Sequence, residues 1–447
     1  MGLGFEFQTN INVYRPHPTL LNIVDTSYNK ERRFYNTAFI KELEGYCVTG
    51  KQNNHLLAHP KGTVLHHSND GWDLTADATD CEFVTSPIHV DSSQDGADAT
   101  FPGEERLIIQ FASMIKFCGN LASFIRARKT RWIYSDELSI YGFPKSILYV
   151  QEAPGIIAAF PQITGGLRLT RLRKLFRHLA KNSNTEAAKL FLGEGVSSNY
   201  SATLGNVSKS LKPSDIKACV KDAGWDGHDP SAQLRGLLTL IAFYLRKGSG
   251  EYPAKVAKQF FFIMSRTDFA QLFKELPNAE QKHYRDNPAE WVDLCCKRIS
   301  GKITPPGLDI NGKVIEQKIN DYGALQAPVQ IPITRKAWLT GIAQGQDLLC
   351  AAAHPHGQDD ATYFDVNGNS RLRGLGGLGD AVDVIITKDL TGRAPVFEFR
   401  GPTFSGARFA YTEWTAYARK CYRFLYAINV HQKQEQISEA DILSLKD

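Results

Sequence analysis

The sequence predicts an α+β protein: a mostly antiparallel sheet with a polar concave face, flanked by helices and interrupted by a helical insertion. Three observations predict it. Residues Phe5–Val13 alternate, with Phe5, Phe7, Thr9, Ile11 and Val13 set against Glu6, Gln8, Asn10 and Asn12. The middle of the chain, from about Leu167 to Ile299, has a helical period broken by turn signals. Strand character then returns late, at Val382–Thr387 and Pro395–Arg400.

Each element follows from a local pattern. Side chains alternate faces along a strand, so Phe5–Val13 reads as a strand with one apolar and one polar face. Further strands are expected at Leu56–Ala58, Thr63–His66, Trp72–Thr75 and Cys81–Thr85. Glu104–Lys129 reads as a long helix, with Leu107, Ile108, Phe111, Ile115, Cys118, Ala122 and Ile125 as its stripe. Ser146–Gln151 and Gly155–Thr164 read as strands. Helices are expected at Leu167–Ala180, Thr185–Leu192, Pro213–Ala223, Pro230–Lys247, Tyr252–Phe262, Arg266–Leu276 and Pro288–Arg298. Pro213 and Pro230 suit a first helical turn. A closing helix covers about Ala407–Asn429, and Gln432–Asp447 is a polar tail. The expected division is a discontinuous sheet domain, 1–180 and 301–447, with the helical insertion at 181–300.

Composition narrows the function classes. The 447 residues are 43% hydrophobic and 22% charged, which excludes a disordered chain, a coiled coil and a collagen-like fibre. Lys and Arg number 52 against 47 Asp and Glu, a net charge of +5. That balance is mild, and a nucleic-acid binder usually shows a concentrated basic stripe. No nucleic-acid partner is expected. The longest apolar run, Leu237–Leu245, is far short of the ~20 residues that a membrane span needs. The opening residues lack the basic and apolar regions of a signal peptide. Eight cysteines, at 47, 81, 118, 219, 295, 296, 350 and 421, include no CxxC pair. Reduced thiols in a cytoplasmic protein are expected.

Several motifs fail on context. Gly374–Gly379 fits GxGxxG, but a polar turn precedes it and a β-like run follows, where a dinucleotide site needs a strand and then a helix. His354, His356, Asp359 and Asp360 form a polar loop without a second spaced cluster. Lys255, Lys258 and Arg266 alternate with Phe260, Phe261 and Phe262 at a spacing that suits a helix core better than nucleic-acid stacking.

What remains is a set of polar residues inside apolar strands. Glu6 and Gln8 share a face of the first strand; Glu82 lies in CEFVTSPI; Glu398 and Arg400 alternate with Phe397 and Phe399. If these strands are neighbours, the carboxylates converge. Clustered carboxylates do not readily stay ionised without cations. Mg²⁺ favours carboxylate oxygens together with phosphate oxygens. The pattern points to a Mg²⁺–nucleotide platform, with Arg400 able to meet a phosphate bidentately.

These segments resemble the glutamate–cysteine ligase-like carboxylate–amine ligases, the amidoligase group, whose fold is shared in outline with glutamine synthetase. Gly4-Phe5-Glu6-Phe7-Gln8 resembles the G-x-E-x-E opening strand. Trp72-Asp73-Leu74-Thr75-Ala76-Asp77 and Glu82-Phe83-Val84-Thr85-Ser86-Pro87 resemble the second element. Glu398-Phe399-Arg400 resembles the late E-F-R strand, and Pro161–Gly166 the strand that supplies a polar facing residue. The sequence departs at Gln8, which stands where the pattern has a second acid.

The resemblance implies an ATP- and Mg²⁺-dependent ligase that joins a carboxylate to an amine through an acyl phosphate. The substrates would be small molecules, peptides or proteins. It implies Glu6, Glu82 and Glu398 as metal ligands, and Arg400 as the phosphate contact. Gln8 and Gln162 would be further ligands or substrate contacts, and Arg168 a further catalytic cation. The alternatives are a non-catalytic scaffold or binding protein on the same fold, or an amide hydrolase or deamidase.

Overall fold

The computed structural model describes residues 2–16, 56–57, 62–77, 80–89, 101, 103–127, 132–134, 147–150, 156–181, 186–192, 207, 213–222, 229–249, 263–267, 269–295, 314–315, 333–346, 384–386, 392–400 and 408–430. The main path of the sheet has seven strands. They are β1 (Gly2–Pro16), β2 (Thr63–Ser68), β3 (Trp72–Asp77), β4 (Asp80–Thr85), β5 (Ala158–Gly166), β6 (Ile263–Ser265) and β7 (Val396–Phe399). They run in the order β6-β7-β5-β1-β4-β3-β2, with every neighbouring pair antiparallel. The fold is α+β on an open, mostly antiparallel sheet. Shorter strands extend it: Leu56–Leu57, Ile88–His89 and Ile147–Val150 pair with β1, and Phe409–Ala410 pairs with β5.

The alternation in β1 decides which face is buried. Phe5, Phe7, Ile11 and Val13 are buried, while Glu6, Gln8 and Asn10 on the other face are half-buried. Two helices cover the apolar face, α1 (Glu104–Ala127) and α10 (Trp414–Val430). The Trp414 ring stacks on Phe7 at 4.4 Å, and Phe111 meets Phe5 and Phe7 edge-on at 5.4 and 5.6 Å. Burying one such side chain contributes roughly 1.5–3 kcal/mol. Glu104, in the first turn of α1, accepts Arg419 Nε at 2.8 Å and Arg423 Nε at 2.7 Å. One carboxylate thereby fastens α10 to the start of α1, where the helix dipole also favours an anion.

The inward line of α1 is Leu107, Phe111, Met114, Cys118, Leu121 and Ala122. Ile108 and Ile115, expected on the stripe, are only half-buried. Steps of four and three residues keep one line facing the core, and Met114 and Leu121 continue that line where Ile108 and Ile115 do not.

Among the described residues, eight more helices lie between these two. They are α2 (Leu172–Lys181), α3 (Glu186–Leu192), α4 (Pro213–Asp222), α5 (Ala232–Ser249), α6 (Phe269–Lys274), α7 (Asn278–Asp286), α8 (Pro288–Asp293) and α9 (Arg335–Ala343). Helix α2 starts later than its pattern suggests. The Leu167 amide still bonds to Pro395 O as a continuation of the sheet ladder, and a 3₁₀ turn, Leu169–Arg171, intervenes. Helix α6 also starts late, because the Arg266 and Thr267 amides both bond to Val396 O. Gly236 of α5 sits directly on the 3₁₀ turn: a Cβ there would lie 1.9 Å from Leu169 O.

Of the elements numbered above, three were not expected from the sequence. Strand β6 is only three residues long, too short for a period to show. Helix α7 has few apolar residues, NAEQKHYRD. Helix α9 packs Trp338, Leu339 and Ile342 inward. Val384–Ile386 is a strand as expected, but it pairs with Gly392–Ala394 in a separate two-stranded ladder. The Gly374–Gly379 loop, His354, His356, the 252–262 segment and the 432–447 tail lie outside the described residues. Among the described residues no helix is long and apolar enough to cross a membrane.

Candidate functional site

The sheet register gathers the polar residues. Residues directly opposite across an antiparallel pair share a face. On one side of β1, Glu6 lies opposite Val84 and Gln8 opposite Glu82. On its other side, Gly4 lies opposite Thr164, Glu6 opposite Gln162 and Gln8 opposite Phe160. Thr164 in turn faces Glu398, and Glu398 faces Met264. Glu6, Gln8, Glu82, Gln162 and Glu398 therefore share one face, across four neighbouring strands.

At the centre is Glu398, whose side chain is 1% exposed. Arg266 Nε lies 2.6 Å from its Oε2, a charge contact rather than an aligned hydrogen bond. Arg400 Nε pairs with its Oε1. Because β6 and β7 are antiparallel, Arg266 and Arg400 approach from opposite ends and bracket the carboxylate. Arg400 Nη2 also donates to Gln162 Oε1 at 2.9 Å. Arg266 Nη2 lies 3.5 Å from Glu6 Oε1. Two carboxylates and two guanidinium groups thus form one connected, formally neutral network, with Gln162 at its rim.

Of the residues singled out from the sequence, Glu6, Gln162, Glu398 and Arg400 meet in this network. Glu82 shares the face and lies one strand over, diagonal to Glu6 beside Gln8. Gln8 turns its amide to Asp80, donating to Oδ2 at 2.6 Å. Arg168 stands apart, past the end of β5, with its backbone amide bonded to Asn429 Oδ1 at 3.0 Å.

Arg266 was missed as a site residue. The run FFFIMS before it reads as helix core, which hid the strand that delivers the side chain. A signal was present: Arg266 follows an apolar run directly, as Arg400 follows VFEF.

The chemistry of the network bears on metals. Both oxygens of Glu398 are engaged by arginine, so a divalent ion does not fit there as the side chains stand. Among the described residues no group of three or more His, Cys, Asp or Glu is placed to hold a metal ion. Mg²⁺ is commonly held by only one or two protein carboxylates plus phosphate oxygens. Glu6 and Glu82 are both half-buried on adjacent strands of this face.

No family model matches the chain, and neither a curated protein nor a solved structure does. The site is therefore read from its own geometry.

Proposed function

We propose that the chain is an ATP-dependent carboxylate–amine ligase of glutamine-synthetase-like architecture. In this reading the polar sheet face is the concave floor of the site. Residues 1–180 and 301–447 form the sheet domain, which also takes strand β6 from the middle of the chain; the rest of 181–300 is its helical insertion, and the protein works in the cytoplasm. One observation carries the proposal: Arg266 and Arg400 bracket the buried Glu398 on the face that also holds Glu6 and Gln162.

The reaction would make an acyl phosphate from a substrate carboxylate and the terminal phosphoryl group, releasing ADP. An amine would then attack the acyl carbon, expel phosphate and lose a proton. The first step brings two anions together, which costs free energy unless fixed cations meet them. Arg400 is suited to this because Glu398 and Gln162 hold its planar fork in place before any ligand arrives. Glu398 acts as a positioning residue for both arginines. Magnesium enters as the counter-ion of the nucleotide, where it would screen phosphate charge, with Glu6 and Glu82 as the carboxylates offered to it.

A second reading is favoured by a specific observation. The acids of the network are neutralised by the chain's own arginines, and Gln8 stands where the resembled pattern has an acid. Both features suit a non-catalytic protein that binds a polar ligand on the same face.

Calorimetric titration with ATP, with and without Mg²⁺, separates the two. The ligase reading expects saturable, Mg²⁺-dependent binding that Glu82→Gln abolishes without moving the melting temperature. It also expects ADP release when pooled carboxylate and amine substrates are added. No ATP binding under any condition removes the ligase reading and leaves the second.

A further inference from the structure

One arginine of the polar face stands outside this network. Arg408 precedes the short strand Phe409–Ala410, in which Phe409 lies opposite Ala159 of β5. The next register position sets Arg408 opposite Phe160, and its guanidinium carbon lies 4.6 Å from the centre of that ring. The backbone there is pinned. Trp414 Nε1 donates to Phe409 O at 2.9 Å, and the Ala410 amide donates to Glu413 Oε2 at 2.8 Å. The Phe409 ring packs on Tyr417 of α10 at 4.9 Å, on the sealed side. Side chains alternate along a strand, so Arg408 falls on the polar side, where Phe160 lies opposite Gln8.

Arg400 reaches β5 in the same way. Phe399 lies opposite Ile163, so Arg400 comes opposite Gln162, two residues along β5 from Phe160. Positions two apart on one strand face are about 7 Å apart. The two arginines differ in what they already hold. Arg400 gives Nε to Glu398 and Nη2 to Gln162, and among the described residues its Nη1 donors are uncommitted. Arg408 is exposed; among the described residues no carboxylate pairs with it and no acceptor takes its N–H groups. A guanidinium carries five N–H donors in a fixed fork. The polar face therefore offers an unpaired positive charge beside the neutral network.

We propose that Arg408 is the second anion position of the polar face, and that the ligand is a two-headed anion spanning Arg400 and Arg408. Its two oxyanion groups are phosphates of one chain or carboxylates of one dicarboxylic acid, since a guanidinium fork matches phosphate and carboxylate oxygens alike. Phe160 prepares this position. A guanidinium stacked on an aromatic face is held there before a ligand arrives, while its N–H edge stays open. The proposal rests on the polar face being the ligand site, as in the ligase reading, but not on catalysis.

The test is calorimetric titration of the full chain with inorganic tripolyphosphate and, separately, with glutarate. Each is compared with its one-headed counterpart, phosphate or butyrate. The wild-type protein should bind one of the two-headed anions at least about tenfold tighter than its counterpart, and more weakly as salt rises. A preference carried by tripolyphosphate marks a phosphate chain, and one carried by glutarate marks a dicarboxylate. Arg408→Gln should abolish that preference and leave the melting temperature unchanged, because the side chain is exposed. Arg408→Lys should keep part of it, since the charge remains and the fork is lost. Arg285→Gln, which removes an exposed cation of α7, should change nothing. No preference for either two-headed anion, the same preference in Arg408→Gln, or an equal loss in Arg285→Gln would each overturn the proposal. The ligase reading falls separately. Mg²⁺-dependent ATP binding without a two-headed preference keeps that reading and removes this one; an Arg408-dependent preference without ATP binding does the reverse.

Discussion

Glu398 shows how one residue can be both structural and functional. It is a fully buried carboxylate fixed between two arginines that each keep about a fifth of their surface in water. Removing one partner of such a set leaves charge without compensation, and in fully buried pairs this costs about 3–5 kcal/mol. With partly exposed arginines, Glu398→Gln should cost about 3 kcal/mol or somewhat less, read as a lower urea midpoint. Arg400→Gln should cost less, because Arg266 still faces the carboxylate. An unchanged midpoint for Glu398→Gln would mean that the arginines relax freely into solvent. The same geometry makes Glu82→Gln the cleaner probe of ligand binding, since Glu82 is half-buried at the side of the network.

At the scale of elements, legibility followed length. The fifteen residues of β1 display their alternation openly, and that alternation placed Glu6 and Gln8 correctly on one face. Glu398 and Arg400 were visible because charges at two-residue spacing within VFEFR have no apolar explanation. Strand β6 was not legible, and Arg266 was lost with it, because a three-residue strand is specified by its neighbour β7 rather than by its own period. Helix starts were misplaced for a similar reason: ladder bonds from Leu167 and Arg266 hold the chain extended where the side-chain pattern already reads as helix. Helix α5 offers two tests. Gly236→Ala would ordinarily favour a helix by up to about 1 kcal/mol. Here the added carbon would meet Leu169 O, so the variant should instead melt lower. The start of α5 is capped by Ser231, whose Oγ accepts the Leu234 amide at 2.9 Å. Glu280, buried on α7, accepts the Ser231 amide and hydroxyl at 2.7 and 2.5 Å. Burial pushes the Glu280 carboxyl above its ordinary pKa, against the opposing pull of Ser231 and Arg235. A carboxyl whose pKa is raised by folding contributes stability below its unfolded value, and that contribution is lost as pH rises through the folded value. Glu280→Gln removes this titration. The difference in melting temperature, variant minus wild type, should therefore grow from about pH 4 to pH 7. A constant difference would show that the hydrogen bonds, not the charge, dominate at this site.

Across the whole molecule, the sheet divides two kinds of chemistry. One face is sealed by α1 and α10, and the other carries the paired acids and arginines. The net charge of +5 hides this arrangement, since the two acids and two arginines of the site network cancel. The sealed side can be tested through its thiols. Cys81 of β4, Cys118 of α1 and Cys421 of α10 are all buried, and so is Cys295 just beyond α8. Burial raises the pKa of Cys81, Cys118 and Cys421, and the acids beside Cys81 in sequence, Glu82 and Asp80, raise it further. Only the thiolate reacts as a nucleophile, so these groups are doubly protected, by access and by protonation. In the native protein at about pH 8, Ellman's reagent should leave these four thiols untouched. They should become reactive together, along the same denaturant curve as the loss of tryptophan fluorescence from Trp72 and Trp414, which lie in that core. Earlier reaction of Cys118 or Cys421 would show that α1 and α10 leave the sheet before it unfolds.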